Sequence, residues 1–242
     1  VRVVILPDAD ALAAAAAELV RERVRQRPDL VLAAPAGRTP RGMYAHLRAR
    51  QAHDPVEYAR LRLFAVDELC PPAPRDGFFW GQIRREFLDW ARVPATRCSP
   101  FRVDAADLDA MCRAYEAAIA ASGGLDLVVL GLGPNGHLAF NEPGSPFDSR
   151  TRPVTLRPET VAYTATDAVN LEAAGGCVAD RAVTLGLATL REAREVMVLV
   201  SGEAKREALR RFLDGPVGPA VPATALRDHP RCTVLADRAA RP

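Results

Sequence analysis

The sequence predicts a single-domain α/β protein with a mainly parallel, Rossmann-like sheet and helices on both of its faces. Three observations carry that expectation. Short runs rich in Val, Leu and Ile recur along the chain, and most are apolar throughout, as in strands covered on both sides. Helix-like segments alternate with these runs. No Gly/Ser linker, charge block or fixed repeat divides the 242 residues, a length that suits one large α/β domain over 1–242.

Taken in order, a strand is expected over residues 1–6 and a helix over 9–25. The alanine-rich run at 11–20 favours helix, and Glu18 within it argues against a signal segment. Further strands are expected over 30–34, 61–66, 125–130, 182–185, 195–200 and 232–236. Helices are expected over 40–50, 81–90, 105–121 and 203–213. Thr39 can cap a helix that opens with Pro40. Ser201 and Gly202 open the last helix, and Gly215-Pro216 stops it. Arginines 21–27 read as a solvated helix face.

Composition excludes several function classes. A net charge of +2 gives no electrostatic footprint for nucleic acid or an acidic membrane. No stretch reaches the roughly 20 apolar residues that span a bilayer. Five widely spaced cysteines without C-x-x-C spacing, beside only four histidines, argue against disulfides or structural zinc. A soluble, cytoplasmic protein is the expectation. All the basic residues are arginine except Lys205, and asparagine occurs only at 135, 141 and 170.

Four polar clusters follow directly after apolar strands: Gly37-Arg38-Thr39, Asp67-Glu68, residues 131–142, and residues 201–205. Ligands of open α/β sheets bind beyond the carboxyl ends of the strands, so these clusters predict one composite site. Gly131 to Gly136 fits G-x-G-x-x-G, the dinucleotide pattern. However, Pro143, Gly144 and Pro146 leave no room for the long helix that such a site needs. The glycines, Gly136 included, are instead expected to let the backbone approach a small ligand and turn His137 inward. Asn135, His137 and Glu142 form a polar set, with an imidazole able to exchange protons near neutral pH beside a carboxylate. Asp67 is a candidate general base. The turn through Gly37 and Thr39, and the turn carrying Lys205, suit an anion through backbone N–H groups and positive charge.

The segment 130–144, Leu-Gly-Leu-Gly-Pro-Asn-Gly-His-Leu-Ala-Phe-Asn-Glu-Pro-Gly, resembles the signature of the glucosamine-6-phosphate deaminase (isomerase) family. Val66-Asp67-Glu68, the loop 34–40, Ser149-Arg150-Thr151-Arg152, and residues 183–190, 201–205 and 222–226 resemble further blocks of that family, in order. The resemblance implies isomerisation and deamination of an amino-sugar phosphate by general acid–base catalysis, without metal or organic cofactor. It makes Asp67 the base that moves a proton between C2 and C1. His137 opens the sugar ring, with Glu142 and Asn135 assisting. Gly37, Thr39 and Lys205 hold the 6-phosphate. The implied assembly is a monomer or a small homo-oligomer, with a mobile lid at about 148–180.

The chain departs from the family in instructive places. Asn135 stands where many members carry Asp. Thr166 aligns with an arginine that reaches the phosphate in the family, and Arg38 replaces a small residue of the phosphate loop, so Arg38 is expected to supply charge from the opposite wall. Residues 69–75 are shorter and richer in proline than the family norm. The basic residue expected two places after Arg152 is Val154, which argues against regulation by an acetylated sugar phosphate. Three alternatives stay open: a deaminase of a variant amino sugar, a 6-phosphogluconolactonase-type hydrolase, and a sugar-phosphate-binding regulatory protein. Lactonases usually show Asp-Glu-Arg where this chain has Leu69 third, and the intact Asp67, His137 and Glu142 argue against an inactive binder.

Overall fold

The computed structural model describes residues 1–71, 77–165 and 179–242. Strands are numbered in chain order. Six of the seven expected apolar runs enter one wholly parallel sheet, as β1 (Arg2–Leu6), β2 (Val31–Ala34), β3 (Arg62–Ala65), β6 (Leu127–Gly131), β9 (Glu195–Val200) and β10 (Cys232–Asp237). A two-residue strand, β5 (Cys98–Ser99), completes the order β1-β10-β9-β6-β2-β3-β5. The inner strands β2 and β9 are buried at every position, which is why their sequences are continuous apolar runs rather than alternating ones.

The seventh run lies elsewhere. Residues 181–184 form β8 (Arg181–Thr184), the middle of a small antiparallel sheet between β4 (Asp67–Leu69) and β7 (Arg152–Thr155). An apolar run reports burial, not the sheet in which it is buried. This sheet has its own cluster, in which Leu69, Phe78, Phe79, Phe140, Leu156, Ala179 and Ala182 pack together.

Most helices fall where expected: α1 (Ala9–Gln26), α2 (Arg38–Gln51), α5 (Leu108–Ala121) and α8 (Arg206–Asp214). Four details correct the sequence reading. Helix α2 begins at Arg38 with Gly37 as its cap residue, so Thr39 lies inside the first turn and caps nothing. The helix expected at 81–90 starts earlier, as α3 (Phe78–Ile83), and runs through a π-helical stretch (Arg84–Leu88) into α4 (Asp89–Ala91). The turn Glu203–Lys205 is 3-10, so α8 proper starts only after Lys205. Arg21 is fully buried rather than solvated, and its guanidinium bonds to the Asp54 carboxylate at 2.7 Å.

Among the described residues two short helices remain, α6 (Pro158–Ala165) and α7 (Leu187–Arg191). No helix among the described residues is long and apolar enough to cross a membrane. Cys70, Cys98, Cys112 and Cys232 are free thiols, and Cys177 lies outside the described residues.

Candidate active site

The carboxyl ends of β2, β3, β6 and β9 open into one cavity of about 900 Å³, including its mouth. Its walls include Gly37, Arg38 and Thr39 after β2, Asp67 after β3, Gly131 at the end of β6 with Gly133 and His137 beyond it, and Ser201 and Lys205 after β9. Helix α6 contributes Thr160, Tyr163 and Thr164.

Asp67 follows a bend at Val66 and begins β4, paired with Thr184 of β8. Side chains alternate along a strand, so Asp67 and Glu68 point to opposite faces. Asp67 meets the cavity, where burial, with the Glu68 charge adding, pushes its carboxyl up to about 8. Glu68 turns the other way and is buried at 1% exposure. Its carboxylate accepts from the backbone N–H groups of Leu69, Phe78, Phe79 and Trp80 at 2.9–3.1 Å. Burial pushes Glu68 up to about 7, against the pull of these four donors. It thereby caps α3 from ten residues upstream, and Gly77, at φ +73°, has no Cβ to collide with the carboxylate. The Asp-Glu pair thus divides: one acid faces the cavity and the other builds its wall.

The loop after β6 is drawn tight by its own backbone. Gly133 N–H donates to the His137 carbonyl at 2.9 Å, and Gly136 N–H to the Gly133 carbonyl at 3.0 Å. Gly136 takes φ +88° and packs against Val221, so it shapes the turn but does not line the cavity. Ala139 adopts φ +50°, uncommon for a residue with a Cβ, and lines the cavity beside Phe140. Phe140 N–H donates to Thr184 Oγ1 at 3.1 Å, and Asn141 Nδ2 to the Leu185 carbonyl at 2.8 Å. The small sheet therefore holds the end of this loop.

Behind His137 stand Asn135 and Glu142. Asn135 Nδ2 donates to Glu142 Oε2 at 2.9 Å, and Asn135 Oδ1 accepts from His137 N–H at 3.1 Å. His137 Nδ1 is 3.7 Å from Glu142 Oε2, an ionic-contact distance too long for a hydrogen bond. Burial alone would raise the Glu142 carboxyl, but His137, Thr160 and Asn135 outweigh it and hold Glu142 at about 2. Asn135 and Glu142 are thus partners of His137 rather than walls of the cavity.

At the cavity's other end the sequence reading is partly corrected. The Gly37 N–H is not free for an anion: it donates to Gln82 Oε1 at 3.1 Å, while Gln82 Nε2 donates back to the Gly37 carbonyl at 3.0 Å. Gln82 is fully buried and fixes this loop, a role with no local sequence signal. The turn that leads to Lys205 is anchored by Asp237, whose carboxylate accepts from Ser201 Oγ at 2.5 Å and from Gly202 N–H at 3.0 Å. Lys205 is 8% exposed, and burial, with Arg38's charge nearby, brings its ammonium down to about 8. Arg38 lines the same cavity as Lys205. Both cations meet the ring of Tyr163, the Arg38 guanidinium at 4.4 Å and Lys205 Nζ at 4.5 Å from its centroid. Thr166 lies outside the described residues.

A carboxyl that holds its proton to high pH, an imidazole and two cations around one hollow can move protons on an anionic substrate. The comparisons agree in kind. A model of the family described as glucosamine-6-phosphate isomerases/6-phosphogluconolactonase matches residues 7–235. The glucosamine-6-phosphate deaminase of Pseudarthrobacter chlorophenolicus is 40% identical over 240 residues, which cover 98% of this chain and 90% of that protein. The deaminase of Streptomyces coelicolor is 37% identical over 239 residues, with coverage of 98% and 90%. Among solved structures, a monomeric glucosamine-6-phosphate deaminase superposes with a TM-score of 0.92 at 30% identity, covering 99% of this chain and 98% of that one. The 6-phosphogluconolactonase of Trypanosoma brucei shares the fold, with a TM-score of 0.78 at 23% identity and coverage of 99% and 97%.

Proposed function

The chain belongs to the glucosamine-6-phosphate isomerase/6-phosphogluconolactonase family, and from that premise we propose that it is a glucosamine-6-phosphate deaminase. The reaction takes glucosamine 6-phosphate and water to fructose 6-phosphate and ammonia. The observation that carries this reading is the shared cavity, with Asp67 and His137 in its wall together with Arg38 and Lys205.

In this reading Arg38 and Lys205 bind the 6-phosphate, with Thr39 adding a hydroxyl from the first turn of α2. His137, backed by Glu142 and Asn135, transfers the protons that open the pyranose ring. Asp67 takes the C2 proton and returns it to C1. The C2–N bond becomes an imine, which water converts to the ketone with loss of ammonia. A carboxyl whose proton affinity is raised by burial is a stronger base for a carbon acid than an ordinary aspartate. General acid–base steps of this kind contribute about 10²–10⁴-fold each. Gly37 shapes the phosphate loop rather than donating to the ligand, since Gln82 occupies its N–H.

The lactonase alternative is less well supported. Leu69 is buried in the small cluster where that reading expects an arginine, and the lactonase likeness extends to the fold alone. The free thiols of the described residues suit a cytoplasmic enzyme.

The test measures ammonia and fructose 6-phosphate from glucosamine 6-phosphate, beside galactosamine 6-phosphate and unphosphorylated glucosamine. Stoichiometric release from glucosamine 6-phosphate alone is expected. Turnover confined to the unphosphorylated sugar would refute the phosphate role of Arg38 and Lys205.

A further inference from the structure

Arg38 and Lys205 come from distant parts of the chain, the start of α2 and the turn after β9. They carry like charges in one cavity, and Lys205 is largely buried. Among the described residues, neither is paired with a carboxylate. What both touch is the ring of Tyr163, at 4.4 and 4.5 Å from its centroid. An aromatic face attracts cations through its quadrupole while bringing no negative charge that would repel an anionic ligand. A guanidinium held by an aromatic ring rather than by a carboxylate has no acceptor occupying its N–H donors, which stay available for phosphate. An ammonium over a ring likewise keeps donors for other partners.

Tyr163 sits on α6, and the residue just before that helix is tied to the loop that carries Glu142. Arg157 N–H donates to Glu142 Oε1 at 3.4 Å, and the Arg157 guanidinium to the Pro143 carbonyl at 2.7 Å.

We propose that Tyr163 is a positioning residue of the anion subsite: its ring holds Arg38 and Lys205 together as a two-cation clamp for the phosphate of the amino sugar. This rests on the deaminase reading above. The ring is the part that meets both cations.

The test compares wild type, Tyr163→Phe and Tyr163→Leu in turnover of glucosamine 6-phosphate and in competitive inhibition by inorganic phosphate. The leucine variant is expected to raise KM and the phosphate inhibition constant together by about tenfold, the scale of two cation–π contacts, with kcat within twofold. The phenylalanine variant keeps the ring and is expected to show a clearly smaller rise in KM and in the phosphate inhibition constant than the leucine variant. Unchanged KM and phosphate inhibition in Tyr163→Leu would overturn the proposal. So would a phenylalanine variant as weak as the leucine one, or a fall in kcat alone. Tyr163→Met, flexible and without a ring, gives the same reading if the leucine protein is unstable. Should wild type fail to turn over glucosamine 6-phosphate, the functional reading falls. Calorimetric binding of inorganic phosphate to wild type and Tyr163→Leu still judges the clamp, which survives only if the variant binds about tenfold more weakly.

Discussion

The His137 imidazole lies against Gly133, so closely that a methyl group at position 133 would stand 2.3–2.4 Å from three of its ring atoms. Across the ring, Nδ1 faces the Glu142 carboxylate at 3.7 Å. The imidazole is therefore wedged between bare backbone and a charge, which sets its orientation without any hydrogen bond to Nδ1. Gly133→Ala should push the ring out of place and lower kcat by about 10²-fold or more, the worth of one general acid–base group. Steady-state ammonia release beside a thermal melt checks this. A near-normal kcat in a folded Gly133→Ala protein would show that the wedge does not govern catalysis.

Glu68 is expected to matter for stability more than any other acid near the site. Glu68→Ala leaves four buried N–H groups without this acceptor, three at the start of α3 and that of Leu69 in β4. The loss should reach about 3 kcal/mol or more. Glu68→Gln keeps an accepting oxygen and should fall between the variant and wild type. Urea unfolding followed by circular dichroism measures both, and equal stability in all three proteins would contradict the capping role.

The pH profile of kcat/KM follows from the proposed roles of Asp67 as base and Lys205 as phosphate ligand. Asp67 must be ionised to act as a base, and its carboxyl stands at about 8, so activity climbs as pH rises toward that value. Lys205 must be charged to hold phosphate, and its ammonium also stands at about 8, so activity falls as pH rises beyond it. A narrow bell centred near pH 8 is expected for the free enzyme. Lys205→Arg, charged at all accessible pH, should remove the alkaline limb while keeping the acid one. A flat profile between pH 6 and 10 would contradict both assignments.

Much of the architecture is legible along the chain, because strands buried on both faces must be apolar throughout. That rule locates β2, β6 and β9 directly. It cannot say that the run at 181–184 pairs with Asp67 and Arg152 in a second sheet, since partner choice is long-range. Two very short strands, β4 and β5, carry too few residues to show a period. Helix α3 starts where it does because a carboxylate ten residues earlier caps it, a signal outside any local window. Arg21 looks solvated by its neighbours and is buried only because Asp54 meets it from another segment. At the site, the residues that crowd the strand ends stand out in sequence. Gln82 and Tyr163 do not, since each acts through a contact with a loop far away in the chain.

Asp67 also predicts a trade between stability and function. Its proton affinity is higher in the fold than the ordinary aspartate value, so the stabilising share is whole at low pH and is lost as pH rises toward 8. Asp67→Asn should therefore melt at a higher temperature than wild type, by a margin that widens from pH 5 to pH 8. Scanning calorimetry across that range checks the sign, and a margin that shrinks with pH would contradict it.

Solvent exchange at C2 of glucosamine 6-phosphate in deuterium oxide, followed by proton NMR, reports the proposed proton transfer itself. Wild type should exchange the C2 proton. Asp67→Asn should show no exchange above background while binding the sugar phosphate within about threefold of wild type. Exchange at a near-normal rate in Asp67→Asn would mean that another group removes the proton, and the assignment of this cavity's chemistry would fail.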